Sequence, residues 1–277
     1  MRKDATIQRA VQLQGVGLHS GETVTMRLLP REQPGIVFRR VDIPGQPEVA
    51  ARVEHAVNTG WTTTLREGKA VVRCVEHLLA ALSGLGVWRC TVELDNSDVP
   101  IADGSALPFV RLLQQAGIEE VDDDHQHQAL TLREPVWVQE GDKSLLALPA
   151  KTFQVTYAVD YCHALIGRQV FSLRMSPVAF AEALAPARTF ALVEWIESLQ
   201  RAGLARGGSL DNAIVVYPDR YSSPLRFPDE LARHKALDCV GDLALLGAPL
   251  RAHVIGIKGS HALHAELVKQ IRKTIGG

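Results

Sequence analysis

Residues 119 to 128 read EEVDDDHQHQ, ten residues with a single apolar side chain, and the patterned sequence on either side runs through the same kinds of element. A stretch this polar cannot bury enough surface to fold by itself, so it reads as an exposed connection between two halves. The chain has 277 residues, room for two units of roughly 100 to 150 residues each. The expected division is an N-terminal domain over 1–125 and a C-terminal domain over 126–277. His125 and His127 stand beside three aspartates in this connection, a composition that fits a solvated linker better than a metal site.

The first half opens with TIQRAVQLQGVGLHSGETVTMRLLP, alternating apolar and polar residues around Gly-rich turns, the pattern of antiparallel strands with one buried face. In VRCVEHLLAALSGLG the period changes: Val72, Val75, Leu78, Leu79 and Leu82 predict a helix with one apolar face, stopped by Gly84 and Gly86. A strand, a Pro/Gly/Asp-marked loop and a second helix, begun after Ser105 and closed at Gly117, follow. The second half gives three strands over 129–161, a largely helical stretch over 176–204, a short strand in DNAIVVYP, a helix in DELARHKALDCVGDLALLG, a strand in RAHVIGIKG and a closing helix. The fold class is therefore α+β, two similar two-layer sandwich domains with a site between them.

Thirty Lys+Arg oppose thirty-one Asp+Glu, a net charge of -1, so no general field draws nucleic acid or an anionic membrane. The longest uncharged apolar run, LLAALSGLGVW, has eleven residues, short of the roughly 20 needed to span a bilayer. The first residues carry charges and lack an apolar core, so no signal peptide is read and the cytoplasm is the expected compartment. Cys74, Cys90, Cys162 and Cys239 have no metal-type spacing and read as reduced core residues.

One helix contradicts its own apolar pattern. In RHKALDCVGDLALLG, His234, Lys235, Asp238 and Asp242 occupy a segment that otherwise reads as buried, and each is costly to bury without a partner. His234 and Asp238 stand four apart on one face, and Asp242 lies one turn further along the same stripe. Two arrangements satisfy such a pair: a His–Asp ion pair, or two ligands of a metal whose third ligand comes from elsewhere. Glu76 and His77 likewise read either as a capping carboxylate beside a packed ring or as a base beside a metal ligand. His261 sits in a Gly-Ser turn, a place where loops present reactive groups and where a helix can equally begin.

Taken together, Glu76-His77, Thr189 in ARTF, GGSLDNAI, the stretch from His234 to Asp242, and KGSHALH resemble the UDP-3-O-acyl-N-acetylglucosamine deacetylase family. The resemblance runs from GVGLHSGETV through VEHLLAALSGLG and PIADGSALPFV to HAL. It implies a zinc amidase that releases acetate from UDP-3-O-acyl-N-acetylglucosamine and leaves the free amine, the committed step of lipid A biosynthesis. By this resemblance His77, His234 and Asp238 are the ligands of one catalytic Zn2+, Glu76 is the general base, His261 the general acid, and Asp242 the carboxylate that orients it. Thr189 matches the hydroxyl that steadies the oxyanion, and Lys235 a contact to substrate or developing charge. Lys143, Tyr161 and Phe190 match positions that touch the substrate. The family plan packs the helices of both sandwiches between their two sheets, and a monomer is expected. The segment from Tyr161 to Phe171 occupies the place of an insert forming a passage for the acyl chain, with Ile166, Val170 and Phe171 as its expected lining. Thr62 stands where some members have cysteine, DYCHAL lacks a proline after the histidine, and KGSH reverses the familiar Ser-Gly order. An amidase acting on another acylated sugar, and a protein using zinc only structurally, are the rival readings; an intact Glu76 and His261 argue against the second.

Overall fold

The computed structural model describes residues 4–58, 60–121 and 129–276, so the expected boundary at 125, with His125 and His127, lies outside the described residues, while the start of the polar stretch is not a free connection: Ile118–Glu120 pairs antiparallel with Ala5–Ile7. The first large sheet is drawn entirely from residues before the polar stretch: Val11–Val16, Thr23–Pro30, Arg89–Leu94, Gly35–Arg40 and Glu48–Ala50, in that spatial order. Arg89–Leu94 is central and buried along its whole length. It runs antiparallel to Thr23–Pro30 and parallel to Gly35–Arg40. The alternation read from the sequence is realised in Thr23–Pro30, whose Val24, Met26 and Leu28 all point into the core. The second large sheet comes from residues after the polar stretch, in the order Val136–Glu140, Lys143–Pro149, Leu250–Ile257, Gln154–Asp160 and Arg168–Arg174. Its central strand Leu250–Ile257 is antiparallel to Lys143–Pro149 and parallel to Gln154–Asp160.

Helices pack on these sheets and, in the case of Val193–Arg201, on the separate strand Phe190–Leu192. They are α1 (Glu76–Leu85), α2 (Leu107–Ala116), the short α3 (Pro177–Ala179) that widens into a turn over Phe180–Leu184, α4 (Val193–Arg201), α5 (Glu230–Leu243) and α6 (His261–Gly276). α2 begins where Ser105 Oγ accepts from Leu107 N, and Gly117 closes it, as the sequence predicts. α2 packs on Val11–Val16, α5 on Gln154–Asp160 and Arg168–Arg174, α6 on Val136–Glu140, and α1 meets α5 in the middle. The helices of both halves thus share one apolar cluster, running from Ile7 to Ile271.

Three expectations are corrected here. α1 has no single apolar face: every residue but Ser83 is buried, because α5 covers the side that a surface helix would leave to solvent. Residues 176–204 are not one helical stretch; Pro186 ends the first helical segment and Phe190–Leu192 is a strand paired in parallel with Ile214–Val216. Cys74, Cys90 and Cys239 are buried, whereas Cys162 is exposed at the end of a strand.

Close approach of α1 and α5 decides where the polar residues meet. A Cβ on Gly241 would lie 2.0 Å from the carbonyl oxygen of Glu76, so only glycine lets α5 cross this near the first turn of α1. A Cβ on Gly84 would lie 2.5 Å from the ring of Phe180, which closes the other end of α1 in the same way.

Candidate active site

α5 buries all its residues except Arg233 and Lys235, and its stripe of His234, Asp238 and Asp242 faces the N-terminus of α1. His77, on the first turn of α1, brings Nε2 to 3.5 Å from Asp238 Oδ1, and His234 brings Nε2 to 3.3 Å from the same oxygen. The two imidazoles meet edge to face, with ring centres 5.0 Å apart. His234 Nδ1 lies 3.2 Å from the carbonyl oxygen of Ala187, an acceptor only, so this nitrogen carries the proton. Burial pulls His234 down to about 4, so the ring is neutral and its Nε2 offers a lone pair.

An acceptor nitrogen therefore faces an acceptor oxygen, and Asp238 Oδ1 is buried without a hydrogen-bond partner. Such an oxygen costs about 1–3 kcal/mol, more for a charged group, unless a cation joins it. Nitrogen and oxygen ligands held at roughly 2.1 Å around a tetrahedral ion stand about 3.4 Å apart, which matches the two distances found. His77, His234 and Asp238 thus fit a divalent metal that takes N and O ligands. The second carboxylate oxygen, Oδ2, accepts from Lys235 Nζ at 2.6 Å, which holds the carboxylate in place.

Asp242, Thr63, His261 and His264 could be mistaken for a second metal cluster. Their atoms are instead joined directly: His261 Nδ1 and His264 Nδ1 each lie 2.7 Å from Asp242 Oδ2, and the Thr63 hydroxyl donates to Asp242 Oδ1. Every acceptor there already has a proton donor, unlike Asp238 Oδ1. Burial opposes charge on both partners, yet the Asp242 carboxylate raises His261 to about 9, and the two imidazoles hold Asp242 at about 2. His261 opens α6, where the helix dipole disfavours a cation, so the carboxylate is what keeps this ring charged. Glu76 is buried at the start of α1, with Thr63 N donating to its Oε2 at 3.0 Å; burial pushes its carboxyl up and the nearby imidazoles pull it down.

A cavity of about 830 Å3 opens beside these groups, with Glu76, His77 and Asp242 outside its lining. Its wall includes His234, Lys235, Asp238, His261 and Thr189, whose backbone N–H is tied to the Gly104 carbonyl at 2.8 Å. Lys143, Tyr161 and Phe190 line it too, and Tyr161 packs edge to face on Phe190. The expected passage lining is corrected: Ile166, Val170 and Phe171 do not border this cavity. Val170 is 62% exposed on the outer face of strand Arg168–Arg174, Phe171 faces the core, and Ile166 packs behind the wall against Leu192 and Ile214. The apolar wall is built by Ala191, Ile196, Leu199, Leu210, Ala213 and Val215, with Trp61 and Trp195 at 5.9 Å ring to ring.

Sequence reasoning did not single out Thr63, His264, Tyr157 or Lys258. His264 left a signal, a second histidine three residues after His261 on the same helix; Thr63 and Tyr157 left none, since a threonine or tyrosine in a strand is ordinary.

Comparison with known proteins places the chain in a family. Residues 4–273 match the family model described as UDP-3-O-acyl N-acetylglycosamine deacetylase. Among similar proteins named UDP-3-O-acyl-N-acetylglucosamine deacetylase, that of Leptospira biflexa is 41% identical over 275 residues, covering 98% of this chain and 90% of the relative. The one from Trichormus variabilis is 43% identical over 274 residues, covering 97% and 98%. The one from Anaeromyxobacter dehalogenans is 44% identical over 269 residues, covering 96% and 86%. The chain belongs to the UDP-3-O-acyl N-acetylglycosamine deacetylase family.

Proposed function

We propose that this protein hydrolyses the N-acetyl group of UDP-3-O-acyl-N-acetylglucosamine to acetate and the free amine, the committed step of lipid A biosynthesis, using one zinc ion held by His77, His234 and Asp238. The observation that carries the reading is the orphaned Asp238 Oδ1 facing two imidazole nitrogens, with a buried carboxylate and a charged imidazole nearby. When bound, the ion supplies Lewis acidity, polarising the acetamide carbonyl and making water a stronger acid.

The side chains divide the proton work. Glu76 takes a proton from the attacking water, and burial, which raises its basicity, suits it to do so. As the C–N bond breaks, His261 gives its proton to the departing nitrogen, so the sugar leaves as an amine, and the proton collected by Glu76 restores His261. Asp242 keeps the His261 ring charged and oriented. Thr189, in the cavity wall, supplies the hydroxyl for the developing oxyanion, a donor whose loss typically costs about 2.7 to 4 kcal/mol. Lys235 adds positive charge on the same side.

Substrate fit supports the same reading. Lys143, Lys235 and Lys258 offer charge for a diphosphate, with Tyr161 for the sugar nucleotide, while the aliphatic wall suits an acyl chain. The free cysteines fit a reducing cytoplasm. No helix among the described residues is long and apolar enough to cross a membrane.

The test is acetate release from the acylated UDP-sugar alongside metal analysis, in the wild type and in Asp238→Ala. Chelator-sensitive turnover with about one zinc per chain, and loss of both in Asp238→Ala, is the expected result. Equal turnover of UDP-N-acetylglucosamine lacking the acyl chain would overturn the substrate assignment, and full metal content in Asp238→Ala would overturn the ligand set.

A further inference from the structure

Behind the groups assigned to proton transfer lies a second layer that this assignment does not use. His264 is fully buried, its Nδ1 2.7 Å from Asp242 Oδ2 and its Nε2 2.9 Å from the hydroxyl of Tyr157, itself fully buried on strand Gln154–Asp160. The protons can be placed. A carboxylate only accepts, so His264 Nδ1 must carry a hydrogen. Burial keeps this imidazole neutral, so Nε2 is an acceptor and the Tyr157 hydroxyl donates to it. The chain runs from Tyr157 through His264 to Asp242, every donor finding an acceptor.

Neighbouring backbone is shaped around it. A Cβ on Gly256 would stand 2.4 Å from the Tyr157 ring, and one on Gly259 would stand 2.6 Å from its hydroxyl oxygen and 3.3 Å from His264 Nε2. Two glycines thus leave room for the pair. His261 meets His264 only edge to face, ring centres 5.9 Å apart, and shares no hydrogen bond with it or with Tyr157. The hydrogen-bonded route from His264 to His261 therefore runs through Asp242, whose Oδ2 holds both imidazoles at the same distance. Take away His264, and one of the three donors fixing that carboxylate is lost, leaving it free to turn about its last bond.

We propose that His264 and Tyr157 are positioning residues for the proton donor, acting through Asp242 to hold His261 in the orientation that serves the leaving nitrogen. The inference rests on the reading of His261 as general acid.

Four variants test it in the zinc-loaded, full-length enzyme: His264→Leu, His264→Asn, Tyr157→Phe and His261→Ala. Each is assayed for acetate release from the acylated UDP-sugar, zinc content and melting temperature. Leucine removes the donor and keeps an apolar volume; asparagine restores an N–H near the Nδ1 position. A hydrogen bond to a charged group is worth enough to predict a fall in kcat of about ten- to hundredfold for His264→Leu, with KM and zinc content unchanged. His264→Asn should recover most of that loss. Full kcat in His264→Leu, or an Asn variant as slow as the Leu variant, overturns the inference. Tyr157→Phe removes one oxygen and guards against a Leu variant that fails to fold: about a two- to tenfold fall in kcat supports the inference, and an unchanged kcat overturns it. An active His261→Ala enzyme would instead bring down the general-acid reading beneath.

Discussion

Replacing Asp242 with asparagine keeps the shape of the side chain and removes the charge that sustains His261. The carboxylate holds the imidazole at 2.7 Å and raises it to about 9 against burial, which alone would lower it. The rise from the ordinary value of about 6.5 corresponds to about 3.4 kcal/mol in favour of the charged ring. Glu76 and Asp238 add smaller upward pulls, and a metal ion bound by Asp238 cancels part of theirs, so in the loaded enzyme Asp242 is the main support that remains. In a profile of kcat/KM against pH, the alkaline limb should fall by at least about one unit in Asp242→Asn, and to about 6.5 or below if the whole effect is lost, since burial then draws the ring down. At pH 7.5 the charged fraction would then drop from nearly all to about a tenth, a loss of about tenfold on ionisation alone. Stability follows the same sign. A raised imidazole stabilises the fold fully below about 6.5 and loses that contribution as pH rises through about 9, whereas Asp242, held at about 2, contributes above its unfolded value of about 3.9 and loses it as pH falls toward 2. Both describe one ion pair, so the two terms are not added. Wild-type and variant profiles at saturating zinc decide the matter: an alkaline limb at the same pH in both, with metal and fold retained, would refute the argument.

Glu76→Gln should keep its zinc and lose about 10²- to 10⁴-fold in kcat, since it removes the base and no ligand; loss of metal together with rate would show that Glu76 belongs to the ligand set. Gly241→Ala should destabilise the protein by about 1–3 kcal/mol and slow the reaction, because the new Cβ presses on the backbone of Glu76 at 2.0 Å; an unchanged melting temperature would mean that the helices part easily there. Ala213→Phe narrows the apolar wall, so the preferred acyl chain should shorten, each excluded methylene costing up to about 0.8 kcal/mol, while zinc content holds; an unshifted chain preference would remove Ala213 from the passage.

Much of the fold is written in short-range periodicity, and what failed to be legible is tertiary. Thr23–Pro30 alternates because one face meets the core, and α2 starts and stops on residues whose side chain and backbone do that locally, Ser105 and Gly117. α1 misleads by the same logic: a helix covered on every side shows apolar residues with no preferred direction, so the stripe found in it marks only part of its buried surface. Pro186 was a legible break, yet the strand after it exists only because Ile214–Val216, more than twenty residues further on, pairs with it.

The site divides along the same line. His234, Asp238 and Asp242 share a helix, so their convergence follows from a period of 3.6 residues, and the cost of burying them was itself the clue. Which of the three serves the metal is not a matter of spacing: Asp238 and Asp242 occupy equivalent steps of one stripe. They part because His77 arrives from α1 beside the first while Thr63 and two α6 imidazoles arrive beside the second, leaving Asp238 Oδ1 without a hydrogen-bond partner and Asp242 with three. Two chemically identical carboxylates thus acquire different surroundings, which is what supports the proposed roles of Asp238 as metal ligand and Asp242 as anchor for the acid. Gly241 contributes to that distinction by letting α1, and with it His77, come within reach of α5.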